Sequence, residues 1–167
     1  MPERNFDYET ILRVLVGHGV EFIVVGGVCA AFHSVILPTF DLDIVHHRAQ
    51  ENLMRLEEAL RELDAYYREH PPHRILPEAQ RMDTPGHHLL MTAAGAVDVL
   101  GAVAGNRGYE QLLPHTVEVT LEEGLRVRML DLPTLIQTKQ EAGRDKDKLA
   151  LPILRRTLEE IERKKEA

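Results

Sequence analysis

Two aspartates that lie two residues apart, Asp41 and Asp43, are the residues of this chain best suited to chemistry. They fall in the stretch Thr39–Val45, which is predicted to be a β-strand. Side chains two apart on a strand share a face, so both carboxylates project together while Leu42 and Ile44 turn towards the core. Two carboxylates aimed at one point repel each other unless a cation lies between them. The pair therefore predicts a site for Mg²⁺ (or Mn²⁺) completed by phosphate oxygens, and the alternative is a solvated strand end.

Two adjacent glycines, Gly26 and Gly27, come shortly before this pair. The apolar run Phe22–Val25 predicts a buried strand ahead of them, and a short helix is predicted after them over Val28–Ser34. A backbone without Cβ can turn sharply and lets a ligand come close, and the amides at the start of the helix add an anion site. The alternative is a tight turn without a ligand.

A third aspartate, Asp98, lies between Val97 and Val99 in another predicted strand. Its side chain is therefore expected on the face opposite the two valines. A charged group inside an apolar strand is costly unless it is paired or liganded. Asp98 is thus expected either at a ligand site or in an ion pair with a basic residue such as Arg144.

Four segments together resemble the nucleotidyltransferase superfamily, whose members share a Gly-Gly or Gly-Ser turn, a spacer and an Asp-x-Asp pair. The segments are Val24–Ala31 (VVGGVCAA), Thr39–Ile44 (TFDLDI), Gly95–Gly101 (GAVDVLG) and Leu135–Asp147 (LIQTKQEAGRDKD). More specifically, the chain looks like small stand-alone nucleotidyltransferase-like proteins related to the toxins of bacterial abortive-infection and toxin–antitoxin systems. The resemblance runs from about residue 20 to about residue 155.

This resemblance implies a metal-dependent transfer of a nucleoside monophosphate from an NTP to an acceptor hydroxyl on RNA, protein or a small molecule. Asp98 would complete the site as the third catalytic and metal-binding carboxylate beside Asp41 and Asp43. The residues that would bind the nucleotide are Gly26, Gly27, Thr39, Lys139, Arg144 and Lys146. A toxin or defence role, and a cognate antitoxin-like partner, are further implications. For Thr39, a hydrogen bond to phosphate and a cap on the strand remain equal alternatives.

The late basic cluster has an alternative interpretation as well. Lys139 and Arg144 could fold back over the carboxylates, where cations would neutralise triphosphate charge. They could instead belong to a solvated, salt-bridged helix junction. Asp147 is expected to cap the last helix.

One departure from the family pattern bears on activity. Related sequences often carry an arginine two residues before Thr39, where this chain has Leu37. The change removes one possible phosphate or acceptor contact. It favours a second hypothesis, in which the protein is a catalytically weak or inactive nucleotide-binding or regulatory module of the same fold.

Composition narrows the protein class. With 167 residues and 44% hydrophobic residues, one domain over 1–167 is expected, with a charged tail from about residue 159. The net charge of −7 argues against a surface that grips nucleic acid as a whole. No apolar run approaches the roughly 18–20 residues that cross a membrane. The polar N-terminus and the single cysteine, Cys29, predict a cytoplasmic protein with a buried, unreactive thiol.

The predicted elements indicate an α/β (α+β) fold, a short mixed sheet flanked by helices. The helices are expected over 6–16, 28–34, 49–63, from Asp131 to about 142, and 146–164, where Pro152 is expected to kink or restart the chain. The strands are expected over 21–25, 41–45 and in two hairpins, 87–92 with 96–100 and 116–121 with 125–129. Residues 66–86 form a variable excursion with one weak strand at 74–76.

Nine histidines suggest no zinc site, because their spacing lacks a His-x-x-x-His or Cys/His pattern. Scattered surface positions are expected for most of them. His46 is the exception to follow, since it lies close in sequence to the aspartate pair.

Overall fold

A computed structural model of the protein describes residues 6–166. Residues 1–5 and residue 167 lie outside it, so the ends of the predicted domain 1–167 and most of the polar N-terminal segment fall beyond the described residues. None of the helices within 6–166 combines the length and the apolar character needed to span a bilayer.

In the described part of the chain, seven strands form one mixed sheet in the order β3-β4-β5-β2-β1-β7-β6. The strands are β1 Phe22–Val25, β2 Asp41–His46, β3 Tyr66–Tyr67, β4 His87–Thr92, β5 Gly95–Leu100, β6 Thr116–Thr120 and β7 Arg126–Leu130. β2 pairs in parallel with β5, and β1 pairs in parallel with β7, while the other neighbours are antiparallel. Both predicted hairpins, β4–β5 and β6–β7, are confirmed.

Six α-helices accompany this sheet within residues 6–166. They are α1 Tyr8–Gly17, α2 Gly26–Phe32, α3 Gln50–Glu62, α4 Tyr109–Leu112, α5 Leu132–Ala142 and α6 Asp145–Glu166. α1 packs against α3, whereas α2 contacts β1, β2 and α5, and α5 packs against α6. The mixed sheet and its helices confirm the predicted α+β class.

Local capping explains where α5 begins and ends. The Asp131 carboxylate accepts a hydrogen bond from the Thr134 N–H at 2.9 Å, and Pro133 occupies the first turn. Gly143 ends the helix in a left-handed conformation, with φ at +63°. The predicted start and end of this helix are therefore confirmed.

The structure corrects two expectations about the secondary-structure elements. α2 begins at Gly26 rather than Val28, because the positive φ of Gly26, +69°, turns the chain from strand directly into helix. No strand forms at 74–76. The strand of that region is β3, Tyr66–Tyr67, and Ile75 only offers its carbonyl to the Tyr67 N–H at 2.9 Å.

The C-terminal part of the chain is also more regular than predicted. α6 runs without interruption through Pro152, so the helix does not restart there. The charged residues from 159 onwards continue the same helix to Glu166, where Arg163 and Glu159 approach to 3.8 Å one turn apart.

Candidate active site

The three predicted aspartates meet on two neighbouring strands. In the parallel pair β2–β5, Asp43 lies opposite Asp98, and Asp41 stands two residues before Asp43 on the same face. One carboxylate oxygen from each residue lies within 4.8 Å of the other two. We call these three residues the carboxylate triad.

The opposite face of the same strands anchors the triad. Leu42, Ile44, Val97 and Val99 alternate with the aspartates, and all four are fully buried. A slip of one residue in this pairing would expose these apolar side chains and bury the carboxylates. The hydrophobic core therefore holds the register that gathers the acidic groups.

The glycine turn fits tightly against this triad. At Gly26, a Cβ atom would lie 2.1 Å from Asp43 Oδ2, in a backbone conformation with φ of +69°. At Gly27, a Cβ atom would lie 2.8 Å from both Cβ and Oγ1 of Thr39. Only glycine allows the turn, the Asp43 carboxylate and Thr39 to come this close.

The charges within the triad oppose one another. Burial raises the pKa of Asp43 to about 8, and the nearby charges of Asp41 and Asp98 add to this effect. Burial and the charge of Asp98 also raise the pKa of Asp41, while Lys146 and Arg68 act in the other direction. A divalent cation would remove the repulsion that favours protonation.

Arg68 is a member of the site that the sequence analysis missed. Its Nη1 lies 2.7 Å from Asp98 Oδ1, and its Nη2 lies 3.8 Å from Asp41 Oδ2. The alternative partner predicted for Asp98, Arg144, instead bonds to Asp147. Arg68 lies in the excursion 66–86, where no motif marks it, and only the β3–β4 pairing brings it across the sheet.

The donor set of the triad fits a hard divalent cation. All three side chains offer carboxylate oxygens, the ligands that Mg²⁺ and Mn²⁺ prefer. The Asp98 side chain is 14% exposed, and its Oδ1 is buried without a hydrogen bond. The 2.7 Å approach of Arg68 is thus an ion pair that lacks hydrogen-bond alignment, and the oxygen remains suited to a further ligand.

The late basic cluster is built around Asp147. This fully buried carboxylate accepts hydrogen bonds from the backbone N–H of Arg144 at 3.3 Å and from its Nε at 2.8 Å. Lys139 Nζ lies 3.5 Å from the other carboxylate oxygen. The contact with the Arg144 N–H ties the carboxylate to the start of α6, as expected of a residue that caps this helix.

A cavity of about 430 Å³ connects the triad to this basic cluster. Among its lining residues are Gly26, Asp43, Asp98, Lys139, Arg144 and Lys146. Gly27 and Thr39 are not part of the lining. The Thr39 hydroxyl donates to the Asp41 carbonyl at 3.1 Å, which matches the strand-capping alternative. The cavity therefore brings together two acidic and three basic residues that are distant in sequence.

The loop after β5 forms the far wall of the cavity. Ala102, Val103 and Asn106 line it, together with Leu135 of α5. The Val103 N–H donates to the Arg107 carbonyl at 2.9 Å, and the Arg107 guanidinium pairs with Glu141 near the end of α5. This ion pair, which no motif predicted, ties the wall to the helix that carries Lys139.

Two other residues lie away from the triad. His46 is fully buried, but it lies three residues after Asp43 on β2, so its side chain is on the opposite face of the strand. Its Nε2 donates to the Met82 carbonyl at 2.9 Å. The proximity in sequence that made His46 of interest therefore does not place it in the site. Cys29 is fully buried, and burial raises the pKa of its thiol to about 12, as expected for an unreactive core residue.

The chain is similar to known proteins in its structure but not in its sequence. No known protein family's sequence profile matches the chain, and no curated protein sequence matches it. A Thermotoga maritima protein proposed to be a nucleotidyltransferase matches with a TM-score of 0.54 and 17% identity, covering 92% of this chain and 91% of its own. The antibiotic-resistance factor ANT(2'')-Ia matches with a TM-score of 0.58 and 15% identity, covering 90% of this chain and 82% of its own. The chain therefore has a nucleotidyltransferase-like α+β fold.

Proposed function

We propose that the protein transfers a nucleoside monophosphate from an NTP to an acceptor hydroxyl in a reaction that depends on a divalent cation. The observation that carries this proposal is the triad of carboxylates within 4.8 Å of one another, beside a cavity lined by Lys139, Arg144 and Lys146. The likeness of the fold to that of the two structural neighbours supports the same reaction class.

In this proposal Asp41, Asp43 and Asp98 hold Mg²⁺ or Mn²⁺, which supplies charge neutralisation at the phosphate when it is bound. The acceptor oxygen attacks the α-phosphorus, the bond to the bridging oxygen breaks, and pyrophosphate leaves. Asp98 accepts the proton of the acceptor hydroxyl. Lys139, Arg144 and Lys146 stabilise the charge on the triphosphate.

Gly26 and Gly27 contribute the close approach of the backbone. Gly26 itself lines the cavity, whereas Gly27 gives room to Thr39, which fastens the start of β2. Gly26 thus shapes the nucleotide site directly, whereas Gly27 acts only through the placement of Thr39. Thr39 acts in this scheme through the strand rather than by contact with phosphate.

The acceptor in this proposal is an RNA end, a protein side chain or a small molecule. The sequence resemblance to abortive-infection and toxin–antitoxin proteins makes a role as a toxin or defence component, opposed by an antitoxin-like partner, the biological setting that we propose. Antibiotic resistance belongs to one structural neighbour, and we do not extend it to this chain.

A second candidate function is a nucleotide-binding or regulatory module that does not catalyse transfer. One observation favours it: the guanidinium of Arg68 already pairs with Asp98 in the triad. The presence of Leu37 where related sequences carry arginine acts in the same direction.

The test is incubation of the protein with each α-labelled NTP and Mg²⁺, in the presence of total tRNA or of protein extract. Label transferred to an acceptor is expected, and an Asp41→Ala/Asp43→Ala variant should lose it. An Asp145→Asn variant, changed at an exposed site on α6, should retain it. Absence of transfer together with calorimetric binding of NTP would instead support the regulatory module.

A further inference from the structure

The sheet holds Arg68 beside the triad. Its backbone N–H donates to the Leu89 carbonyl at 3.1 Å, and its Nη1 donates to the Leu90 carbonyl at 3.0 Å. The preceding residue, Tyr67, pairs with Leu90 across β3–β4. The side chain is only 25% exposed. The guanidinium is therefore placed beside Asp98 by hydrogen bonds to β4 and is not a mobile group on the surface.

Arg68 approaches the three carboxylates of the triad unequally. Its short approach is to Asp98, at 2.7 Å, while its approach to Asp41 is 3.8 Å. No ion pair with Asp43 occurs among residues 6–166. One carboxylate thus has a resident cation, and the other two face each other with raised pKa values.

We infer that Arg68 competes with the divalent cation for Asp98, so that the nucleotide-free protein binds the cation mainly through Asp41 and Asp43. This inference rests on the metal site of the proposed function. Three ionised carboxylates carry three negative charges, which one dication and one guanidinium balance. A second dication beside Arg68 would leave the site with an excess of positive charge.

The competition also gives Arg68 a task when the nucleotide binds. A guanidinium matches phosphate oxygens as well as it matches a carboxylate. Arg68 does not itself line the cavity, but a triphosphate bound there would give its guanidinium a second anionic partner. The pairing with Asp98 would then weaken, and Asp98 would become available as a metal ligand and proton acceptor. Arg68 is thus a specificity-determining residue that makes a complete site depend on the nucleotide.

The test is a double-mutant cycle on Mn²⁺ affinity, measured by electron paramagnetic resonance on the full chain without nucleotide. The variants are Arg68→Gln, Asp98→Asn and both together. In the parent, Asp98→Asn should weaken Mn²⁺ binding less than about twofold, because Arg68 already occupies Asp98. In the Arg68→Gln background, the same change should weaken binding by roughly tenfold, because Asp98 has become a ligand.

A matched control separates the effect of the Arg68–Asp98 contact from the effect of any nearby positive charge. Lys146→Gln removes another cation that lowers the pKa of Asp41 and Asp43 without an ion pair to either. It should raise Mn²⁺ affinity somewhat but should leave the effect of Asp98→Asn unchanged. Circular dichroism checks folding, and Arg68→Met, which keeps an unbranched side chain but removes the charge, replaces Arg68→Gln if that variant unfolds.

The outcomes distinguish this inference from the proposed function. Equal losses from Asp98→Asn in the two backgrounds, with Mn²⁺ bound in both, would overturn the competition and leave the metal site intact. No Mn²⁺ binding by any of the variants or by the parent would overturn both. A larger loss in the Arg68→Gln background alone would support the competition, whatever the transfer assay shows.

Discussion

Two acidic groups of this protein, Asp43 in the triad and Asp147 at the α5–α6 junction, have pKa values shifted in opposite directions. Burial and neighbouring carboxylates raise the pKa of Asp43 to about 8. Burial would also raise the pKa of Asp147, but hydrogen bonds and charge from Arg144, with the charge of Lys139, bring it below its ordinary value. The Asp147 side chain is fully buried, whereas Asp43 is only partly buried and lines the cavity.

The difference shows that the partners, rather than burial itself, decide what a buried carboxylate is for. Asp147 has its cations supplied by the chain and serves as a structural tie. Asp43 lies beside two like charges and against the glycine turn, so at neutral pH a cation from outside would favour its ionised form.

The largest effect is expected from Gly26→Ala. Its φ of +69° and the 2.1 Å distance of a new Cβ from Asp43 Oδ2 combine backbone strain with a displaced carboxylate. We expect a loss of about 3 kcal/mol in the free energy of unfolding and a loss of Mn²⁺ binding. Gly143→Ala is the control, because the nearest atom to its Cβ lies at 3.8 Å; it should cost only about 1 kcal/mol. Equal costs would refute the tight fit at Gly26.

Asp147→Asn should lower the free energy of unfolding by about 2–3 kcal/mol, because Lys139, whose side chain is 12% exposed, loses its charged partner. Asp145→Asn, in the same helical turn but exposed, should change it by less than about 0.5 kcal/mol. Urea unfolding measures both. An Asp147→Asn variant as stable as the parent would mean that the buried ion pair is not a structural tie.

The raised pKa of Asp43 predicts a pH dependence in the metal-free protein. Between the ordinary value of 3.8 and about 8, the folded state holds a proton that the unfolded state releases, so stability falls as pH rises. One such proton contributes at most about 1.4 kcal/mol per pH unit. Thermal unfolding with chelator should show a shallower decline for Asp43→Asn than for the parent. Parallel pH profiles would contradict the shift.

The smallest effect is expected from Arg144→Gln. Although Arg144 bonds to buried Asp147, its own side chain is 59% exposed, so solvent weakens the pair. We expect a loss of about 1 kcal/mol in the free energy of unfolding. Lys148→Gln, at an exposed site of the same helix, is the matched control. A loss as large as that from Asp147→Asn would assign the tie to Arg144 rather than to Lys139.

Most of the fold could be predicted because its signals are local. Asp131 and Pro133 mark the start of α5, Gly143 marks its end, and alternating side chains mark both hairpins. The errors fall where a local pattern is weak. The prediction at 74–76 missed β3, whose two residues become a strand only because β4 offers them an edge.

The candidate site likewise contains residues that could be predicted from the sequence and residues that could not. The grouping of Asp41, Asp43 and Asp98, and the glycine turn beside them, could be predicted from spacing and resemblance. Arg68 could not, because its approach to Asp98 depends on the pairing of β3 with β4 and of β4 with β5. The partners of Asp147 were likewise open until α5 and α6 were placed.

By itself, the sequence determined which side chains share a face and where the chain turns, since the strand period of two and the absence of Cβ act on neighbouring residues. Asp41 and Asp43 project together for that reason. Only the tertiary structure decided the strand register that sets Asp98 opposite Asp43, the approach of Arg68 to Asp98, and the contact of Lys139 with Asp147. These contacts join distant segments, and the strand register and helix packing that create them depend on the whole core.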